Sequence, residues 1–195
     1  MQRWDILNTL IEYYNYKNYL EVGVQDYYSC CAKVKLPKES KVAVDPAPRN
    51  ECDFIGTSDE YFTQLDPTTK FDLVFIDGLH HNDQVLKDIN NSLKHLNEGG
   101  SILCHDCLPP TERHQERDDH GGEWNGDVWK AIAHLRTTRE DLNVQTINTD
   151  WGCCLIQKGT NTLYSPTKEN YLTWDYFSKN KNELMNVVSP LDIKL

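Results

Sequence analysis

Four titratable side chains follow two apolar segments of the sequence, and their types suit acid–base or metal chemistry. Asp77 ends one apolar run and is followed three residues later by His80, while His105 and Asp106 directly follow a second run. An imidazole titrates near neutrality, so it can accept the proton of a hydroxyl group. Paired carboxylates suit a hard divalent cation such as Mg²⁺, and an imidazole ligand also admits a softer metal.

A second group of polar residues follows the earlier apolar segments. Glu21 is an acid within an apolar run, and Gly23 ends that run, where a glycine lets the backbone approach a ligand closely. Asp45 follows 24 residues after Glu21, the spacing of the acid that hydrogen-bonds a ribose in nucleotide-binding α/β folds. Ser58 and Asp59 follow a weaker apolar run, and they either contact a ligand or cap the next helix.

Composition excludes several classes of protein. The 195 residues are 38% hydrophobic and 26% charged, which is typical of one folded globular domain. The net charge of −10 argues against a nucleic-acid-binding protein, because such proteins present a basic surface to phosphates. No apolar run approaches the roughly 20 residues that a membrane helix needs. The N-terminal residues lack the apolar stretch of a signal peptide, so we expect a cytoplasmic protein.

The seven cysteines favour the same compartment, because an odd number without a signal peptide is a poor disulfide framework. Cys104 and Cys107 have the spacing of a metal or redox pair, but no second pair accompanies them. We therefore interpret the cysteines as small core residues and keep a metal–thiolate site as the alternative.

Hydrophobic periodicity divides the chain into alternating helices and strands. An amphipathic helix is predicted over residues 3–15, and the clearest helix is expected to stop at Gly99 and Gly100. Further helices are predicted at residues 28–35, at 59–65, from Asp127 as an N-cap, and at 167–186. Strands are predicted at residues 19–24, 41–45, 53–56, 71–77, 101–104, 142–148 and 152–158. The last two strands are too close for a crossover helix, so we expect an antiparallel hairpin.

This order of elements predicts a Rossmann-like α/β fold: an open twisted sheet, mostly parallel, with an antiparallel C-terminal hairpin and helices on both faces. We expect a single domain over residues 1–195, with an N-terminal helix in 1–18 and a helical extension at 160–195. The long polar segment 109–126 is typical of a substrate loop or of a solvated segment, and its Trp124 offers a stacking platform for a sugar. Ligands of such sheets bind beyond the carboxyl ends of the strands.

Four short motifs occur in order along the chain. They are Glu21-Val-Gly23-Val, Val44-Asp45-Pro46, Phe75-Ile-Asp77-Gly78-Leu-His80 and Gly99-Gly100-Ser-Ile-Leu-Cys-His105-Asp106. Together they resemble the class I S-adenosylmethionine (SAM)-dependent methyltransferases, and most nearly the small enzymes linked to glycan and sugar tailoring. The resemblance covers about residues 19–158 and implies SAM as the cofactor.

The resemblance also implies where SAM binds. In the family, the acid at Glu21 neighbours the methionine part of the cofactor, the acid at Asp45 holds both ribose hydroxyls, and the residues after the third strand contact the adenine. The expected cofactor-binding residues are Glu21, Gly23, Asp45, Ser58, Asp59 and Asp77.

The same resemblance assigns a chemistry to the later motifs. It implies that His80 is the general base, and we count Asp77 and His105 as catalytic residues beside it. Several relatives bind a divalent metal that chelates two substrate oxygens and lowers the pKa of the hydroxyl. The corresponding ligands here are Asp77, Asp106 and His105, for Mg²⁺ or another divalent metal.

We therefore expect SAM-dependent O-methylation of a small hydroxylated substrate such as a sugar, with a metal-assisted reaction as part of the hypothesis. One alternative is a metal-dependent hydrolase or oxygenase built on the same four residues. The other is a non-catalytic cofactor-binding module, supported by Tyr27, which stands where the family usually has a second glycine. We expect no nucleic-acid or membrane partner, and a homodimer stays open.

Overall fold

Eight strands form one sheet in the computed structural model, which describes residues 1–160 and 162–195. The strands are β1 (Tyr19–Val22), β2 (Lys41–Asp45), β3 (Phe54–Ile55), β4 (Phe71–Ile76), β5 (Leu96–Cys104), β6 (Leu142–Ile147), β7 (Cys153–Lys158) and β8 (Val187–Val188). The α-helices are α1 (Arg3–Tyr14), α2 (Ser58–Gln64), α3 (Asn82–Lys94), α4 (Val128–Thr138) and α5 (Trp174–Leu184). None of the helices in these described parts is long and apolar enough to cross a membrane.

The strand order is β3-β2-β1-β4-β5-β7-β6-β8. β7 runs antiparallel to both β5 and β6, while the other paired strands are parallel. The predicted open sheet with an antiparallel C-terminal hairpin is thereby confirmed. The chain order reverses between β1 and β4, and a reversal of this kind opens a crevice at the carboxyl ends of the strands.

Helices cover both faces of the sheet, as predicted. On one face α3, α4 and α5 bury Ile89, Trp129 and Phe177 in a single apolar cluster, which α2 joins. On the other face α1 buries Ile6 and Leu10 in a second cluster. Strand residues alternate between the two clusters, because successive side chains of a strand point to opposite faces. The strands are therefore held from both sides, which fixes the positions of the residues that follow them.

Strand register brings the chemistry-bearing residues to one edge. Ile76 of β4 pairs with Val22 of β1 on one side and with Cys104 of β5 on the other. Asp77 and His105 directly follow β4 and β5, so they lie side by side at the carboxyl ends of these two strands.

The predicted helix at residues 28–35 is wrong. The structure has only a short 3₁₀ turn at Cys31–Lys33, so the connection from β1 to β2 contains no α-helix. Asp26 accounts for the difference: its carboxylate accepts the backbone N–H of Tyr28, and its carbonyl accepts that of Ser29. Local bonds of this kind compete with the helical pattern.

Three further boundaries differ from the sequence prediction. α3 ends at Lys94, before the predicted glycine stop, and β5 begins at Leu96. Gly100 lies within β5, where a Cβ would lie 2.8 Å from the carbonyl oxygen of Asp72, so the glycine permits close strand packing. α5 begins at Trp174, seven residues later than predicted, after the hydroxyl of Thr173 caps its first turn. The edge strand β8 was not predicted.

Candidate active site

A cleft of about 1030 Å³ lies at the carboxyl ends of β1, β2, β4 and β5. Its walls include every residue that the sequence singled out for chemistry: Glu21, Gly23, Asp45, Ser58, Asp59, Asp77, His80, His105 and Asp106. The polar segment 109–126 contributes Asp119, Glu123 and Trp124 to the same walls, and α1 contributes Arg3 and Trp4. The fold therefore brings together in one cavity residues that are far apart in sequence, such as Arg3 and Trp124, which are 121 residues apart.

Glu21 is almost wholly buried on β1, with 1% of its surface exposed. Its Oε2 accepts a hydrogen bond from the Tyr19 hydroxyl at 2.5 Å. Burial raises the pKa of this carboxyl group to about 8, and the Tyr19 bond offsets only part of the shift. Glu21 is therefore largely protonated near pH 7 unless a cation comes beside it.

Gly23 has a left-handed backbone conformation, with φ of +87°. A Cβ at this position would lie 2.3 Å from the Asp77 carbonyl oxygen and from the Gly78 Cα. The sequence suggested a close approach between this glycine and a ligand. The structure shows a close approach to the backbone that follows β4, so the glycine permits the ends of β1 and β4 to meet.

Asp45 ties two loops together at the end of β2. Its Oδ2 accepts the backbone N–H of Gln25 at 2.9 Å, and its Oδ1 accepts that of Ala47 at 2.7 Å. Each carboxylate oxygen can accept a further bond, so the group still has capacity toward the cleft.

Ser58 and Asp59 form the first turn of α2 but do not cap it. The cap is Thr57, whose hydroxyl accepts the N–H of Glu60 at 3.2 Å. The side-chain amide of Gln84 donates instead to both Ser58 Oγ and Asp59 Oδ1, at 3.2 and 3.1 Å. These bonds join α2 to α3 at the rim of the cleft.

Asp77, His80 and Asp106 converge on one point of the cleft. The Nε2 atom of His80 lies 3.5 Å from Asp77 Oδ1 and 3.4 Å from Asp106 Oδ2. One ligand atom from each of the three residues fits within 4.8 Å. Burial disfavours the charged ring of His80, but hydrogen bonding to Asp77 and the charge of Asp106 outweigh it and raise its pKa.

The last residues of the segment 109–126 hold this cluster in place. Trp124 stacks on the His80 ring with 5.0 Å between centroids, so one face of the indole is already covered. Asn125 is fully buried, and its amide donates to Asp106 Oδ1 at 2.7 Å. A Cβ on Gly126 would lie 2.0 Å from the His80 carbonyl oxygen, so this position requires glycine.

Asp127 follows the same segment and occupies the N-cap position of α4, as predicted, but its side chain makes no cap bond there. Its carboxylate instead accepts the backbone N–H of Asn82 at 2.7 Å and the side-chain amide of the same residue. The start of α3 is thereby tied to the start of α4.

His105 lies beneath the cluster and is 3% exposed. Its Nδ1 lies 2.8 Å from Asp106 Oδ2 and 3.4 Å from Asp77 Oδ1. Burial disfavours its charged form, but the charge of Asp77 and the bond to Asp106 outweigh it and raise the His105 pKa well above the usual value. Burial alone would raise the pKa of Asp77. The pKa is instead held below its usual range by the charge of His105, a bond from His80 and the Arg3 guanidinium.

Sequence reasoning missed Arg3 and Asp150. Arg3 Nη1 donates to Asp77 Oδ2 at 2.7 Å, while its Nε and backbone N–H donate to Asp150 Oδ2 at 3.0 and 2.7 Å. The helical pattern placed Arg3 at the start of α1 but gave no sign that this helix end packs against the strand ends. Asp150 lies in the β6–β7 turn, and an isolated aspartate in a turn carries no functional signal in a sequence.

The two tyrosines in the first loop do not narrow the cleft. Gln25 and Ser29 line it, whereas Tyr27 and Tyr28 are not among its lining residues. Tyr27 is buried against the face that α1 covers, and its backbone N–H donates to Asn50. Tyr27, which stands where the resembled family usually has a glycine, therefore lies outside the cavity.

Comparisons with known proteins agree with this architecture. Residues 20–107 match a family model described as a methyltransferase domain. The O-methyltransferase TomG from Streptomyces achromogenes, solved with SAM and involved in tomaymycin synthesis, is 18% identical with a TM-score of 0.60, over 80% of this chain and 79% of that one. No curated protein sequence matches the chain significantly.

Two further solved structures share the fold. The SAH-bound methyltransferase PaMTH1 from Podospora anserina is 18% identical with a TM-score of 0.59, over 80% of this chain and 78% of that one. An O-methyltransferase from Bacillus cereus in complex with SAH is 15% identical with a TM-score of 0.59, over 80% of each chain. At these identities the likeness establishes the fold.

Proposed function

We propose that this protein is a class I SAM-dependent methyltransferase, which its matched domain and its fold support, and that it methylates a hydroxyl oxygen of a small substrate such as a sugar. The observation that carries the proposal is the convergence of Asp77, His80 and Asp106 in the cleft that also contains Glu21 and Asp45. The same cleft thus offers acid–base groups to an acceptor and offers the cofactor, at Asp45, a carboxylate of the kind that binds a ribose.

The residues at the ends of β1 and β2 fit SAM. Glu21 is a buried acid that would ionise beside a cation such as the cofactor's ammonium group, and Asp45 has accepting capacity for ribose hydroxyls. Ser58 and Asp59 lie on the adjoining wall, where an adenine would bind. When bound, SAM supplies an electrophilic methyl group. Gly23 and Asp77, which border the β1–β4 crevice, complete the proposed cofactor site.

His80 is the proposed general base. A proton taken at Nε2 would face Asp77 and Asp106, whose charges stabilise the imidazolium that forms. His105 lies beneath both carboxylates, and its bond to Asp106 orients one of them. Asp77 would therefore act by stabilising the charged base, and His105 by orienting Asp106 beside it.

A divalent cation between Asp77 and Asp106 is the second part of the proposal. The sequence named His105 as the third ligand, but its Nδ1 is within hydrogen-bond distance of Asp106 and must give up that bond to ligate. The Nε2 atom of His80 faces both carboxylates and fits the third position better, because its contacts to them, at 3.5 and 3.4 Å, are longer than the bond that His105 would give up. A ligand nitrogen cannot also take a proton, so metal content decides which role His80 has.

The substrate loop, residues 109–126, is proposed to bind the acceptor. Its Asp119, Glu123 and Trp124 line the cleft next to His80. Their carboxylates would accept hydrogen bonds from the hydroxyls of a sugar, and they would repel an anionic substrate.

The oxygenase and the non-catalytic module find less support in the geometry. An iron oxygenase typically uses two histidines and one carboxylate, whereas the described cluster around His80 offers one imidazole and two carboxylates. The non-catalytic module was supported by Tyr27 in place of the family glycine, and Tyr27 does not line the cleft.

The test is methyl transfer from labelled SAM to a panel of sugars and catechols, preceded by calorimetry with SAM and SAH. Each assay is run with Mg²⁺, with Mn²⁺ and with chelator. We expect SAM binding and label transfer to at least one hydroxylated acceptor. Absence of SAM binding would contradict the cofactor site. Full activity in chelator would contradict the metal-assisted part of the proposal but not methyl transfer itself.

A further inference from the structure

A second cluster of ligand-type side chains lies behind the wall of the cleft. The antiparallel register pairs Cys104 of β5 with Cys154 of β7, so the residues beyond this pair, His105 and Cys153, lie side by side. Asp150 reaches the same place from the β6–β7 turn. One ligand atom from each of His105, Asp150 and Cys153 lies within 4.8 Å of the other two.

The Nε2 atom of His105 is the observation that points to a ligand. It is buried and has no hydrogen-bond partner among the described residues, although an unpaired buried nitrogen is costly. Asp150 Oδ1 faces it at 3.6 Å, beyond hydrogen-bond distance. Two ligand atoms of one tetrahedral zinc ion lie roughly 3.3–3.6 Å apart, given metal–ligand bonds of about 2.0–2.3 Å. The gap between these two atoms therefore suits an ion between them.

Both ligands are oriented by partners of their own. His105 Nδ1 lies 2.8 Å from Asp106 Oδ2, and a bond there keeps a proton on Nδ1, so a metal would bind at Nε2 in place of the proton that the raised pKa of the ring favours there. Asp150 Oδ2 accepts two bonds from Arg3, which leaves Oδ1 directed toward His105 with one long contact to Arg3 Nη2 at 3.4 Å. A carboxylate bonded to a ligating histidine is a common arrangement around protein-bound metals.

The turn that carries Asp150 is held in an uncommon conformation. Asp150 and Trp151 have φ of +46° and +63°, which is rare for residues with side chains. Bonds from Cys107 N–H to the Gly152 carbonyl and from Leu108 N–H to the Trp151 carbonyl hold the turn against the segment after β5. The conformation keeps the carboxylate beside His105.

We propose that His105 Nε2, Asp150 Oδ1 and Cys153 Sγ form a binding site for a borderline-soft divalent cation, with Zn²⁺ as the best fit. Imidazole, carboxylate and thiolate are the three side-chain ligands that zinc accepts, and the sulfur disfavours Mg²⁺ and Ca²⁺. Three protein ligands leave one tetrahedral position for water. The site uses Nε2 of His105, whereas Nδ1 is the atom directed toward Asp77 and Asp106. It is therefore separate from the cation proposed above, and it does not depend on methyl transfer.

The experiment is a Co²⁺ titration of the reduced full-length protein after treatment with chelator. A cobalt–thiolate bond gives a charge-transfer absorption band in the near ultraviolet, which carboxylate and imidazole ligands do not give. We expect this band to saturate at one equivalent and to be displaced by Zn²⁺. The band should disappear in Cys153→Ala. In Asp150→Asn the apparent affinity for Co²⁺ should fall at least tenfold.

Two control variants make the test specific. Cys154→Ala changes the adjacent, equally buried thiol on the other face of β7 and should keep the band. His80→Ala alters the cluster in the cleft and should keep it too. No band in the parent protein, or a band that survives Cys153→Ala, would overturn the proposal. A band that is lost only in Cys154→Ala would place the metal near Cys104 and Cys107 and would also overturn it.

A measurement on the parent protein covers the case in which Cys153→Ala does not fold. X-ray absorption of the zinc-loaded protein counts the sulfur atoms around the metal. One sulfur with nitrogen and oxygen ligands supports the site, whereas none, or more than one, contradicts it.

Discussion

Arg3 Nη1 donates a hydrogen bond to Asp77 Oδ2 at 2.7 Å, across 74 residues of sequence. The bond attaches the first turn of α1 to the end of β4, at the crevice where the strand order reverses. Through Nε the same guanidinium binds Asp150, so it places a fixed positive charge between two carboxylates. The N-terminal helix is thus part of the wall of the candidate active site.

Arg3→Ala should destabilise the protein by about 1.5–3 kcal/mol, because it removes hydrogen bonds to charged partners that are largely buried. Arg3→Lys should recover less than half of the loss, since an ammonium group cannot bind both carboxylates through a planar fork. Urea unfolding followed by circular dichroism measures both. Arg117→Ala is the control, because its ion pair with Asp83 is exposed and its contact with the buried Asp127 is long, at 3.6 Å, so its loss should matter less. Equal effects at Arg3 and Arg117 would contradict this role.

Asp45→Ala should weaken SAM and SAH binding by about 1.5–3 kcal/mol, or roughly 10–150-fold, through loss of charge-assisted bonds to the ribose. Asp45→Asn should weaken it less, because the amide oxygen still accepts one backbone bond. Calorimetry gives the affinities. Asp53→Ala is the matched control: this neighbouring carboxylate accepts the Ala43 N–H but does not line the cleft. Unchanged affinity in both Asp45 variants would remove Asp45 from the site.

The strands other than β8 were predictable because they are apolar runs bounded by turn residues, and buried strands leave this pattern whatever their neighbours. The cavity was predictable for a related reason: residues that follow parallel strands meet at one edge, so Asp77 and His105 could be expected together. The helix at residues 28–35 failed because Asp26 forms local bonds that a hydrophobic pattern does not record.

Arg3, Asn125 and Asp150 could not be predicted for a different reason. Their roles arise from contacts between segments that are 19 to 147 residues apart, and each is an ordinary polar residue in its local sequence. Only the packing of α1, of the β6–β7 turn and of the segment that carries Asn125 against the strand ends gives them partners. Trp124 was expected to offer an indole face to a sugar, and the structure instead covers one of its faces with His80.

SAM binding near neutral pH should release a proton from Glu21. The pKa of this carboxyl group is about 8 in the cofactor-free protein, because burial penalises its charge. An ammonium group beside it would favour the ionised form and lower that pKa. Affinity should therefore rise as pH increases from 6 toward 8. Calorimetry at pH 7 in buffers of different ionisation enthalpy measures the released protons.

Two variants separate Glu21 from the other acids of the cleft. Glu21→Gln should abolish the buffer dependence. Asp88→Asn should keep it, because burial raises the Asp88 pKa only to about 6 and the group is already ionised at pH 7. A buffer dependence that persists in Glu21→Gln would assign the proton to another group.

His80→Ala should lower kcat by about 10²–10⁴-fold on any accepted substrate while leaving SAM affinity nearly unchanged, as expected for the loss of a general base. His81→Ala is the matched control, since His81 touches Trp124 by its edge but does not line the cleft. Parental turnover in His80→Ala would exclude His80 as the base and leave His105 or a metal-bound water.

The pH profile of kcat tests the same assignment independently. Only the neutral ring of His80 accepts a proton, so activity should fall as pH decreases through its pKa. Hydrogen bonding to Asp77 and the charge of Asp106 raise that pKa, which places the midpoint above the ordinary histidine value of about 6.5. Asp106→Asn removes one of these charges and should shift the midpoint to lower pH. A bound divalent cation should also shift it down, because it competes with the proton for Nε2. A midpoint that responds to neither Asp106→Asn nor metal would belong to a group outside this cluster.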